Sequence, residues 1–129
     1  MNSLALIYVA CGGAFGAMLR YAATDMLARL NGTSFPYGTL SVNVLGSLLM
    51  GAWIAAVLVM PSLAKAKDLH LLIAVGVLGG FTTFSTFSLD MFLLAERGLY
   101  TQAIIYVAAS VILSLMALLF GILLVKWVA

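Results

Sequence analysis

The chain has 129 residues, of which 65% are hydrophobic and 8% charged, with a formal net charge of +2. A soluble domain carries roughly 25% charged residues, so this composition excludes a globule solvated mainly by water. The six basic residues form no run, which removes the electrostatic footprint of nucleic-acid binding, and the single Cys11 excludes an intrachain disulfide.

Four apolar stretches divide the chain: Leu4 to about Leu27, Thr39 to Met60, Leu69 to Leu94 and Ile104 to Val125. The second holds 22 residues, roughly 33 Å of helix at 1.5 Å per residue, which matches a bilayer core near 30 Å. No polar mature region follows the first stretch, so it reads as a spanning helix and not as a signal peptide. The pattern predicts an all-α integral membrane protein, with residues 1–129 forming one transmembrane domain of four helices. Little chain is left over for a nucleotide-binding domain, so function has to reside among the helices.

The first helix carries Gly12 and Gly16, a small-xxx-small surface on which a neighbouring backbone can approach closely. Arg20 and Tyr21 lie near its far end. Thr24, Asp25 and Arg29 lead into a polar turn through Asn31–Ser34, and Pro36 should end any helical run before it. The second helix starts around Tyr37–Ser41 and contains Asn43 one or two turns inside. An amide at that depth is costly unless it finds partners. Met60-Pro61-Ser62 ends this helix. Lys65, Lys67, Asp68 and His70 form a short connection, and His70 reads as interfacial, since no second histidine exists to complete a metal site.

The third stretch runs Gly79-Gly80-Phe81-Thr82-Thr83-Phe84-Ser85-Thr86-Phe87-Ser88. Paired glycines permit non-helical dihedrals, and the hydroxyls that follow can compensate the backbone groups so released. This predicts a broken third helix, interrupted near Gly79–Thr83. A continuous helix with its hydroxyls bonded back to its own carbonyls is the alternative. The fourth helix carries Tyr106, Ser110 and Ser114 at i, i+4 and i+8, one polar stripe on an apolar helix. Lys126 and Trp127 then fit a snorkelling base and an interfacial anchor.

Four spans put both termini on one side. Basic residues then tie, Lys65, Lys67 and Lys126 against Arg20, Arg29 and Arg97, so the positive-inside rule chooses no orientation. A balanced chain can insert both ways, and two opposed copies can pair as an inverted repeat does within one longer chain. Four short helices scarcely enclose both a polar pathway and their own core, which points to an oligomer with a dimer as the smallest form.

The polar inventory of the spans is nearly all neutral donors, a set that can replace part of a small anion's hydration without trapping it. Phe84 and Phe87 share one face at i, i+3, and their ring edges carry the positive part of the aromatic quadrupole. Core packing is the plainer reading of these rings. Carbonyls freed at a break near Gly79 and Thr82 would instead suit a hard monovalent cation such as sodium.

The runs Gly12-Gly13-Ala14-Phe15-Gly16-Ala17 with Arg20-Tyr21, Gly38-Thr39-Leu40-Ser41-Val42-Asn43 with Gly46, and Gly79 to Ser88 together resemble the bacterial Fluc (CrcB) fluoride channels. The resemblance covers essentially the whole chain. It implies an antiparallel dual-topology homodimer in the bacterial inner membrane that passively exports fluoride, with a structural sodium ion at the dimer centre. It places Phe84, Phe87, Asn43, Tyr106, Ser110, Ser88 and Thr39 along the ion route, Arg20 at an aqueous vestibule, and Gly79 and Thr82 at the sodium. Asp90 stands where many relatives carry glutamate. The residues alone leave two rivals. One is a small dual-topology exporter, whose embedded first-helix carboxylate is missing between Leu4 and Leu19. The other is a non-transporting membrane assembly protein. Catalysis is not expected, because Ser85 and Ser88 have no histidine or lysine base in the span.

Overall fold

A computed structural model describes residues 3–129. Its elements are α1 (Ser3–Asn31), α2 (Tyr37–Val59), two short helices α3 (Pro61–Lys65) and α4 (Lys67–His70), a π-helical segment Leu71–Leu78, α5 (Gly79–Phe81), α6 (Phe84–Glu96) and α7 (Tyr100–Val128). Four helical stretches among the described residues are long and apolar enough to cross a membrane: Ser3–Asn31, Tyr37–Val59, Lys67–Glu96 and Tyr100–Val128.

Each span is longer than its apolar stretch because polar residues at the ends stay helical. Thr24, Asp25 and Arg29, expected to lead into a turn, lie inside α1. The Thr24 hydroxyl donates to Arg20 O at 2.9 Å, and Arg29 Nε meets Asp25 Oδ2 at 2.8 Å one turn away. α1 ends at Gly32, which adopts φ +75°, and Pro36 stands just ahead of α2. α6 ends on a similar device. Gly98 at φ +74° lets Leu99 N–H reach back to Leu94 O at 3.0 Å, closing the orphan carbonyls of the last turn. The short second connection is largely helical through α3 and α4. His70 accepts a hydrogen bond at Nδ1 from Trp53 Nε1, 3.1 Å away, which ties the start of the third span to α2.

Packing follows the glycines. α1 lies mainly against Leu71–Leu78 and α5, and α2 lies mainly against α7. Lipid gives helices no hydrophobic drive to associate, so close backbone approach carries the contact. At the first interface a Cβ on Gly12 would run into Leu72 O, one on Gly16 into Val77 O, and one on Gly80 would come within 2.5 Å of Gly13 O. The Gly12–Gly16 surface is therefore a packing surface, and its partner is the third span. A cluster of buried side chains lies elsewhere. Leu94, Ala103 and Tyr106 form a cluster flanked by Phe35, Leu40, Phe87 and Leu99, joining α6 to α7 beside the first connection.

The third span is interrupted at Thr82 (φ −85°, ψ 157°) and Thr83 (φ −154°, ψ 123°), both extended. The paired glycines are not the interrupted residues: Gly79 is right-handed helical, and Gly80 lies within α5. Gly80 is small because α1 passes it. The conformational change falls on β-branched residues, which favour extended dihedrals.

Candidate ion pathway

The interruption is held from three directions. Asn43, reaching across from α2, donates from Nδ2 to Thr83 O at 3.0 Å and accepts from Thr83 N–H at Oδ1, 2.8 Å. Its amide thus pairs with the Thr83 main chain as a neighbouring strand would. Within the segment, the Thr83 hydroxyl caps α6 by accepting from Thr86 N–H at 3.2 Å and also bonds Thr86 Oγ1 at 3.1 Å. Thr82 Oγ1 donates back to Leu78 O at 3.0 Å. From α1, Arg20 Nε donates to Gly80 O at 3.1 Å.

These bonds decide which carbonyls remain open. In a continuous helix Gly79 O would accept from Thr83 N–H, but Asn43 takes that donor. Phe81 and Thr82 are followed by extended backbone, and among the described residues no main-chain N–H outside the helices reaches their carbonyls. The interruption therefore presents uncompensated main-chain oxygens at Gly79, Phe81 and Thr82. It offers no carboxylate, and no group of three or more histidine, cysteine or acidic residues suited to a metal occurs among the described residues.

A cavity of about 380 Å³ lies beside the interruption, between α2, α6 and α7. Asn43, Thr82, Thr83, Phe84, Phe87, Ser110 and Ser114 are among its lining residues. The hydroxyls of Ser110 and Ser114 are buried and have no hydrogen-bond partner. A buried hydroxyl without a partner carries a desolvation penalty of about 1–3 kcal/mol, and two of them stand beside this one cavity. We predict that Ser110→Ala changes the melting temperature little, because the Ser110 hydroxyl makes no close hydrogen bond among the described residues, while reducing any ion flux about tenfold. Thermal unfolding and flux measured on the same preparation check both parts.

Aromatic rings continue from this cavity toward the first connection. Phe84 and Phe87 stand 5.4 Å apart between centroids, Phe87 and Tyr106 5.4 Å, and Phe35 meets Tyr106 edge-on at 5.7 Å and 90°. Tyr106 is wholly buried and donates its hydroxyl to Asp90 Oδ2 at 3.2 Å. Past it lies a second cavity of about 200 Å³ whose lining includes Thr24, Phe35, Thr39 and Asp90.

Of the residues singled out in the sequence, the structure brings Asn43, Phe84, Phe87, Ser110 and Thr82 around the larger cavity, and places buried Thr39 at the smaller one. Tyr106 stands between the two. Ser88 lines neither, and its hydroxyl is turned back to Phe84 O at 3.0 Å. Arg20 lies against the interruption through Gly80, and Gly79 is on that segment's exposed side. Ser114 was legible in the i, i+4, i+8 stripe. Phe35 was not, because it sits in the first connection, where no periodicity marks an inward-facing ring.

Residues 7–122 match the family described as CrcB-like protein, Camphor Resistance (CrcB). Among curated proteins the chain is 46% identical over 121 residues to a protein of Caulobacter sp. (strain K31), covering 94% of each chain. It is 47% identical to one from Chelativorans sp. (strain BNC1), over 90% of this chain and 91% of the relative. It is 48% identical to one from Rhizobium johnstonii, over 89% and 90%. Each of the three bears the name fluoride-specific ion channel FluC.

Proposed function

The chain belongs to the CrcB family, and from that premise we propose that it is a fluoride-specific channel that lets the anion leave the cytoplasm passively. The observation that carries the reading is the cavity between α2, α6 and α7, where unpartnered Ser110 and Ser114 hydroxyls share a wall with the Asn43 amide and the Phe84 and Phe87 rings. Fluoride is small, strongly hydrated and a strong acceptor. Hydroxyl, amide and aromatic-edge donors replace its water one contact at a time and hold it without a full countercharge. No nucleotide is needed. Acidic surroundings convert fluoride to neutral HF, which crosses lipid and ionises again inside, and the negative interior potential then drives the anion out with roughly 2.3 kcal/mol per 100 mV.

On this reading two chains of opposite orientation form the working unit. The near balance of basic residues, three against two once Arg20 is counted within its span, supports it, and so does Phe84, a large ring beside the cavity that is 78% exposed on a single chain. A second copy would cover that ring and complete the pathway wall. The open carbonyls of Gly79 and Thr82 fit a sodium ion at the dimer centre: the donors are hard, neutral oxygens, the first freed because Asn43 takes the Thr83 N–H and the second because the Thr83 hydroxyl takes the Thr86 N–H. Sodium would supply a fixed positive charge beside the anion route.

Fluoride efflux from liposomes under a clamped potassium gradient, with chloride in parallel, tests the function. Rapid fluoride release with little chloride movement is expected, falling at least tenfold in Phe84→Ala or Phe87→Ala proteins that retain their oligomeric state. Folded protein that releases no fluoride would send the chain back to a non-transporting assembly role.

A further inference from the structure

Arg20 is expected at an aqueous vestibule, where a positive charge concentrates anions, yet its guanidinium is bound to the interrupted segment. Its Nε–H donates to Gly80 O at 3.1 Å, and the contact is partly buried. Gly80 belongs to the last helical turn before the interruption. Its carbonyl would have accepted from Phe84 N–H had the helix continued, and the extended Thr82 and Thr83 carry that donor away. Orphan carbonyls at a helix C-terminus hold the negative end of the dipole, and a cationic donor is the fitting cap.

Two more observations set the direction of this cap. Gly80 faces α1, since a Cβ there would come within 2.5 Å of Gly13 O, whereas a Cβ on Gly79 would meet only Ala74 O at 3.7 Å. The neighbouring carbonyls therefore leave the helix end with different surroundings: Gly80 O is held on the α1 side by Arg20, and Gly79 O is left open by the Asn43–Thr83 pair. Arg20 and Asn43 grip the two sides of the interruption from different helices.

We propose that Arg20 is a positioning residue: its Nε–H caps the Gly80 carbonyl and so fixes the end of α5, which aims the open carbonyls at Gly79 and Thr82. The proposal rests on the channel reading for its functional consequence but not for its structural one. What matters at position 20 is then a donor at the fourth side-chain atom, more than the charge.

Three substitutions separate the two roles. Arg20→Gln keeps an N–H donor at the same number of bonds from Cα and removes the charge. Arg20→Lys keeps the charge but carries its donor one atom farther out. Arg20→Met keeps comparable length with neither. Fluoride efflux from liposomes is measured over a range of fluoride and salt concentrations, and amide hydrogen exchange over residues 80–86 is followed in the same detergent-purified proteins.

Positioning predicts that Arg20→Gln stays within about threefold of the parent in maximal flux. Arg20→Met should lose about tenfold or more, as expected when a charge-assisted hydrogen bond is removed. Its half-saturating fluoride concentration should not change, and its exchange over residues 80–86 should be faster. Flux that survives in Arg20→Lys and falls equally in Arg20→Gln and Arg20→Met, with a deficit that shrinks as salt screens the charge, would overturn the proposal. So would three variants indistinguishable from the parent. If the parent itself conducts no fluoride, the channel reading fails, and the exchange pattern still decides whether Arg20 holds the interruption: faster exchange in Arg20→Met but not in Arg20→Gln supports it, and equal exchange sinks it.

Discussion

Replacing Asn43 by alanine is expected to abolish fluoride efflux and to lower stability by roughly 2–6 kcal/mol, the largest effect of any single polar substitution in the chain. The amide answers both main-chain groups of Thr83, accepting from its N–H at 2.8 Å and donating to its carbonyl at 3.0 Å. Alanine leaves both without a partner in a region where water is scarce, at about 1–3 kcal/mol for each unsatisfied group. Where the segment relaxes instead, with Thr83 N–H returning to Gly79 O to continue the helix, the stability loss falls to the low end of that range, and flux is still lost because the carbonyls that the interruption opens are closed. Asn43→Asp is the informative partner variant, since a carboxylate still accepts from Thr83 N–H but cannot donate to its carbonyl. It should be no more stable than the alanine variant, because a charged oxygen would face the Thr83 carbonyl where the amide donated, and it should fail in flux because it sets a negative charge beside the anion's path. Thermal unfolding in detergent and liposome efflux together check this. A stable, conducting Asn43→Ala protein would mean that the Asn43–Thr83 pair does not hold the interruption.

Gly16→Ala should be nearly as damaging, although it adds one methyl group in a mainly apolar protein. A Cβ at this position would run into Val77 O and lie 2.9 Å from Phe81 N. Both are main-chain atoms that no rotamer change can move aside, so α1 must leave the third span. Overpacking against backbone destabilises by about 3 kcal/mol, and here it acts on the contact that also brings Arg20 to Gly80. We expect a lower melting temperature and loss of flux. Gly13→Ala is the internal control: a Cβ there meets nothing within 4 Å, so its stability should match the parent's. Equal losses at the two positions would show that glycine matters here for a reason other than close approach.

Much of the candidate site was legible in the residues because polar groups inside an apolar span need partners. Asn43 stood out for that reason, and the Tyr106, Ser110 and Ser114 stripe followed from helical periodicity alone. Which hydroxyls remain available was not legible. The hydroxyl-rich run after Gly80 reads as a row of donors, but Thr82, Thr83, Thr86 and Ser88 are largely taken up by the backbone and by one another. The buried hydroxyls left without a partner among the described residues, Ser110 and Ser114, lie on α7. Short polar side chains bond locally whenever the neighbouring backbone has lost its own partner, and sequence does not say where that loss falls. The interruption itself was expected from the glycine pair, yet the extended residues are Thr82 and Thr83. Glycine before an interruption can mean freedom of dihedral or closeness of a neighbour, and only the position of α1 against Gly80 separates the two.

By itself the sequence determined that the chain lives in lipid, that it crosses four times, and that its polar groups are neutral donors gathered in the middle of the spans. Those properties follow from length, hydropathy and residue type, which are local. The tertiary structure alone decided that the main chain of Thr83 pairs with a side chain forty residues away, that Arg20 lies on the Gly80 carbonyl, and that Phe35 extends the aromatic row from a connection. These depend on which helix faces which. In lipid that choice is made by close approach of small residues and by satisfaction of buried polar groups, which are relations between distant segments and have no signature within either one.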